Sequence, residues 1–99
     1  MYAILNEIGA DLTMRMQDTI TTKLTDAFAP QILEVVDDSA RHAGHAGHRE
    51  GGETHFNVHI VSQAFKGKSR IERHRMIHTV LAEELATTVH ALAIDARDQ

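Results

Sequence analysis

The chain has no cysteine and no tryptophan, a single proline in 99 residues, and only 4% aromatic side chains. The missing cysteine excludes a disulfide framework, a catalytic thiol and any zinc or iron–sulfur site built from this chain's own thiolates. Metal ligation must therefore use histidine or borrow cysteines from a partner. Long apolar runs are also missing, so nothing in the sequence is expected to span a bilayer. Residues 1–10 carry neither a basic n-region nor a long apolar h-region, so no signal or transit peptide is expected and the cytoplasm is the expected compartment. Positive charge is scarce: ten Lys and Arg against fourteen Asp and Glu leave a net charge of −4, which argues against a general phosphate-binding protein. At this length one domain with one core is expected. The 42% hydrophobic and 24% charged composition is that of a soluble globular chain.

Two residue types that are present are unevenly placed. HAGHAGHREGGETHFNVH, from His42 to His59, holds five of the eight histidines. KGKSRIERHR holds half of the basic residues, namely Lys66, Lys68, Arg70, Arg73 and Arg75, opposed within it only by Glu72. A local basic patch thus survives the acidic total.

Hydrophobic spacing gives the elements. Met16, Ile20, Leu24 and Phe28 stand four apart within residues 14–28, the stripe of an amphipathic helix that Ala29-Pro30 ends. Ile32 to Val36 is a β-branched run closed by Asp37, Asp38 and Ser39, and reads as a strand. Residues 42–52 contain four glycines and no large apolar side chain, which predicts an exposed loop. In residues 54–62, Phe56, Val58 and Ile60 alternate with His55, Asn57 and His59, predicting a second strand with one buried face and an antiparallel hairpin across an overlong loop. Ser69 stands three residues before Glu72, a capping box opening a helix expected to reach about Ala86, with Ile71, His74, Ile77, Leu81 and Leu85 on its inward face. A third strand is expected over residues 89–96, placing His90 in register with Leu92 and Ile94. The order helix, strand, strand, helix, strand predicts a small α+β domain over residues 13–97, a three-stranded sheet with its helices on one face. Residues 1–12 form an N-terminal extension.

Four local matches then carry a resemblance: LEVVDDS (Leu33 to Ser39), ETHFNVHIVS (Glu53 to Ser62), F-x-G-x₆-H-R in FKGKSRIERHR (Phe65, Gly67, His74, Arg75), and LAEEL with VHALAI (Leu81 to Leu85 and Val89 to Ile94). Over roughly residues 14–97 the chain resembles the BolA family. The resemblance implies a fold similar to a class II KH module. It also implies two roles: partner of a monothiol glutaredoxin in iron–sulfur cluster handling, and DNA-binding regulator. For the first it implies a [2Fe–2S] cluster shared with the glutaredoxin and glutathione in a heterodimer, with His90 as one ligand. His42 is the best match for the second, and His45 and His48 are the alternatives. Two imidazoles on one iron would raise the reduction potential relative to an all-thiolate cluster and make binding proton-linked.

For the second role the candidate residues are Lys66, Gly67, Lys68, Arg70, Arg73 and Arg75, where a glycine turn leads into a helix N-terminus. The G-x-x-G of a KH loop is absent and no aromatic platform accompanies the patch. A solvated, charged helix start is the ordinary reading of such a stretch. The ordinary reading of His90 is a half-buried strand residue, and His55 and His59 are assigned no role. No paired carboxylates, no nucleophile with a base and no P-loop occur, so no enzymatic activity is expected. Self-association of the partner-free chain as a weak homodimer stays open.

Overall fold

A computed structural model describes residues 15–38 and 54–99, so the assignments to His42, His45 and His48, and the extension over residues 1–12, lie outside the described residues. Helix α1 (Met16–Phe28) leads to strand β1 (Ile32–Asp37); β2 (His55–Val61) leads through a 3₁₀ turn (Gln63–Phe65) to α2 (Arg70–Val80) and the short α3 (Ala82–Thr87), and β3 (Ala91–Arg97) closes the order. This is the expected α+β domain with a three-stranded sheet, in the order β1-β2-β3.

Strands β1 and β2 pair antiparallel, with Leu33 opposite Ile60 and Val35 opposite Val58. Strands β2 and β3 pair parallel, with Phe56 opposite Leu92 and Val58 opposite Ile94. A parallel neighbour needs a crossover, and α2 with α3 supplies it. The period-2 alternation therefore sends Val35, Phe56, Val58 and Ile60 from the two first strands into one face, where they pack with Ile20, Leu24 and Phe28 of α1, Phe65, Ile77 and Leu81. The opposite face of the sheet carries Ile32, Glu34, Val36, Asn57, Ala93 and Asp95, all exposed.

Ser62 joins three elements although its side chain is fully buried. Its hydroxyl donates to the Phe28 carbonyl at 2.6 Å and accepts the Ala64 N–H at 3.1 Å, while its own N–H donates to the Arg97 carbonyl at 2.9 Å. Buried polar groups need such partners.

Three expectations are corrected. The second helix is not continuous to Ala86: at Leu81 (φ −102°, ψ 20°) the backbone leaves helical geometry, and a separate short helix, α3, follows from Ala82. Ile71 is not inward but 62% exposed, because the apolar stripe begins before α2 reaches the core at Ile77. The third strand starts at Ala91 rather than Val89, so the alternation does not hold at its beginning: Val89 is buried and His90 is exposed.

Candidate functional site

His90 stands just before β3, and its backbone is fixed by the neighbouring strand. Thr54 is fully buried, and its carbonyl accepts the His90 N–H at 2.7 Å and the Ala91 N–H at 3.2 Å. The His90 side chain is exposed rather than half-buried in the strand face. The parallel register puts His55 opposite Ala91, so the first residue of β2 lies next to His90. Their ring centres are 6.4 Å apart with planes inclined at 59°. The Thr54 hydroxyl oxygen lies 2.8 Å from His55 Nδ1, a hydrogen bond that helps set the ring's orientation. The spacing of His55 in the sequence does not point to His90. The signal is a pairing register, which no spacing within the chain reveals.

Among the described residues no group of three or more His, Cys, Asp and Glu could hold a metal ion.

The basic stretch is arranged differently from a phosphate clamp. The Ser69 hydroxyl accepts the Glu72 N–H at 3.1 Å, and the Glu72 carboxylate accepts the Ser69 N–H at 2.7 Å, so the first turn of α2 is capped by its own side chains. The hydrogen bond from the Ser69 backbone holds the Glu72 carboxyl below the usual range, helped by Lys68 and Arg75. Arg73 is turned inward as a strut, with Nε donating to the Lys68 carbonyl at 2.9 Å and an Nη to the Ala96 carbonyl at 3.0 Å. Gly67 adopts φ +77° in the turn before the helix, a conformation that favours glycine. Lys66, Lys68, Arg70 and Arg75 are exposed. His74 is half-buried and His78 exposed.

A shallow hollow of about 290 Å³ lies on the open sheet face, lined by Glu34, Val36, Asn57, His59, Ala93 and Asp95 among others. Asp95 links two side chains there: Arg97 Nε donates to one carboxylate oxygen at 3.0 Å, and His59 Nδ1 lies 3.1 Å from the other. The Arg97 contact, with His59 behind it, holds the Asp95 carboxyl low and raises Arg97. No spacing or motif in the sequence marks this hollow.

The sequence profile described as BolA-like protein matches residues 24–99. The chain belongs to the BolA family. It is 52% identical over 81 residues to the Escherichia coli protein named DNA-binding transcriptional regulator BolA, covering 82% of this chain and 73% of that one. It is 50% identical over 89 residues to BolA-like protein 1 of Pongo abelii, covering 90% of this chain and 62% of that relative's length. Another BolA relative, SufE-like protein 1, chloroplastic/mitochondrial, of Arabidopsis thaliana, is 50% identical over 82 residues that make up 22% of its length. The solved BolA domain of SufE1 from Arabidopsis thaliana superposes with a TM-score of 0.74 at 48% identity, covering 82% of this chain and 88% of that one. BolA1 from the same plant gives 0.75 at 36% identity, with 86% and 93% covered. No described helix of this BolA chain is long and apolar enough to cross a membrane.

Proposed function

We propose that this BolA-family chain is a non-catalytic adaptor that binds a monothiol glutaredoxin and supplies nitrogen ligands to a [2Fe–2S] cluster shared with that partner and glutathione. The cluster is cargo, held for assembly, sensing or transfer. The observation that carries the reading is His90, exposed at the start of β3 with its backbone fixed on the Thr54 carbonyl at 2.7 Å. A ligand for a cluster that arrives on another protein has to be reachable from outside and mounted on a rigid element. The chain has no cysteine, so the thiolates come from the partner side and this chain contributes imidazole. The second nitrogen is assigned to the segment between β1 and β2, with His42 first and His45 and His48 as the alternatives. A relative that carries a BolA domain in a SufE-like protein supports a link to iron–sulfur work. Each ligating ring must present a neutral nitrogen, so cluster binding releases protons when the rings were charged.

The test is anaerobic mixing with a cluster-loaded monothiol glutaredoxin, followed by visible absorption, circular dichroism and gel filtration for wild type, His90→Ala and His42→Ala. A new spectrum that is lost in His90→Ala is the expected result. No spectral change together with no co-elution in the wild type would overturn the reading.

A second reading, a DNA-binding regulator, is favoured by one observation: Lys66, Lys68, Arg70 and Arg75 are all exposed around the start of α2. It also rests on the name of the Escherichia coli relative.

A further inference from the structure

Strand β3 lies at one end of the sheet, so one side of its backbone has no neighbouring strand among the described residues. Which groups face that side follows from the ladder. The Ala91 N–H donates to the Thr54 carbonyl at 3.2 Å and the Arg97 carbonyl accepts the Ser62 N–H at 2.9 Å, so the odd-numbered residues of β3 bond to β2. The backbone N–H and C=O groups of Leu92, Ile94 and Ala96 therefore point away from the sheet. Such a row is a template for another strand, and the same strand of a second copy fits it by two-fold antiparallel pairing. We propose that Arg73 keeps this edge closed to a second copy of the chain.

The geometry of the Arg73 side chain carries the proposal. One Nη stands 3.0 Å from the Ala96 carbonyl oxygen, while an added strand would run about 4.8 Å from β3, so the guanidinium occupies the layer that strand needs. It is held in place, because Nε donates to the Lys68 carbonyl at 2.9 Å and the residue is half-buried. Its position along the edge matters as well. In the two-fold pairing that engages all the outward residues, Ile94 faces its own counterpart and Leu92 faces Ala96, so each Ala96 carbonyl has to accept the Leu92 N–H of the second copy. One guanidinium per chain thus obstructs both ends of the pairing. Displacing it breaks two charge-assisted hydrogen bonds, and enclosing it buries a cation without a counter-charge. The next outward carbonyl, that of Asp98, is also occupied, by Gln63 Nε2 at 3.0 Å. The opposite end of the sheet follows the same pattern, with Gln17 Nε2 of α1 donating to the Val35 carbonyl of β1. His90 directly precedes β3, so a closed edge keeps a second copy away from the surface beside it. This role goes beyond the adaptor reading and does not depend on it.

The test compares full-length wild type, Arg73→Met, and Arg73→Met combined with Ile94→Pro, by sedimentation velocity and by amide hydrogen exchange at low and high protein concentration. Met keeps the apolar stem and removes the donors. Pro at Ile94 removes an outward N–H and leaves the ladder to β2 intact, as an edge strand tolerates. Thermal melts show which variants fold, and Arg73→Gln, too short to span both carbonyls, stands in if the methionine variant does not. The expected result is a wild-type monomer whose Leu92 and Ile94 amides exchange at a rate independent of concentration. Arg73→Met should shift to a dimer as concentration rises, with those two amides slowed, and the added Ile94→Pro should return it to a monomer. A folded Arg73 variant that stays monomeric would overturn the proposal, as would a dimer that survives Ile94→Pro or a wild type already protected at Leu92 and Ile94. Failure of both Arg73 variants to fold would make the residue a support of the fold and overturn its role at the edge.

Discussion

Ala29 is the one non-glycine among the described residues with positive φ, at φ 44° and ψ 56°. It ends α1 in the left-handed conformation, its N–H donating to the Thr25 carbonyl at 2.9 Å, and Pro30 follows. A Cβ there costs about 1–2 kcal/mol, while glycine gives back about 0.4–1 kcal/mol in unfolded-chain entropy. Ala29→Gly is therefore expected to stabilise the fold by about 0.5 kcal/mol, read as a higher urea midpoint with an unchanged slope. The cap at the other helix start works through side chains. Ser69→Ala should cost about 1 kcal/mol. Glu72 adds pH dependence with a definite sign. Its carboxyl is lowered from 4.5 by the Ser69 N–H, so its contribution is complete above that value and is lost as pH falls through the lower folded value. Asp95, lowered from 3.8 by Arg97, acts in the same acid direction. Glu72→Gln can still accept the Ser69 N–H, so between about pH 6 and pH 3 it should lose less stability than wild type in denaturant titrations. The Ser69–Glu72 box was legible because its signature is local. The position of Ala29 was legible only as a stop, since Ala29-Pro30 marks an end without fixing the conformation that makes it.

The elements show where periodicity suffices and where it fails. Ile20, Leu24 and Phe28 are buried as their spacing requires, and Phe56, Val58 and Ile60 face the core as their alternation requires. The break at Leu81 was not legible, because Ile77, Leu81 and Leu85 keep helical spacing across it. What the break achieves is tertiary: α3 brings Glu84 to α1, where Lys23 Nζ lies 2.6 Å from one carboxylate oxygen. Glu84 Oε1 is buried and makes no hydrogen bond, so Lys23 is the main compensation for that charge. The same contact is the largest cause of the raised Lys23 pKa, so this part of the stability holds below the ordinary value of 10.5 and is lost as pH rises through the folded one. Lys23→Met should cost about 1–3 kcal/mol by leaving a buried carboxylate uncompensated. Adding Glu84→Leu should recover most of that loss, since an apolar pair removes the desolvation penalty as well as the attraction. Chemical denaturation of the two single variants and the double variant gives the coupling directly, and additive losses would show that the two helices are not linked through this pair.

For the whole molecule, the exposed end of the sheet where β2 and β3 begin was half legible. His90 could be singled out because VHALAI carries the family resemblance; His55 could not, because its place beside His90 comes from a parallel pairing between strands joined by two helices. The nucleic-acid reading is limited by charge in a way that only the structure reveals. Of the five cations in the basic stretch, Arg73 is bound to two backbone carbonyls, and the first turn of α2 is capped by Ser69 and Glu72. Lys66, Lys68, Arg70 and Arg75 remain at this surface, on a chain of net charge −4. Duplex DNA binding through this surface should therefore follow a log–log salt slope of about −3.6, taking about −0.9 for each of four phosphate contacts. Affinity should then fall roughly 150-fold between about 50 and 200 mM salt. Charge reversal at Lys66 and Lys68 together should make the slope shallower by about 2 and weaken binding to all sequences alike, as phosphate contacts do. Fluorescence anisotropy with a labelled duplex across that salt range measures both quantities, and a slope unchanged by Lys66→Glu with Lys68→Glu would place any DNA contact on another surface.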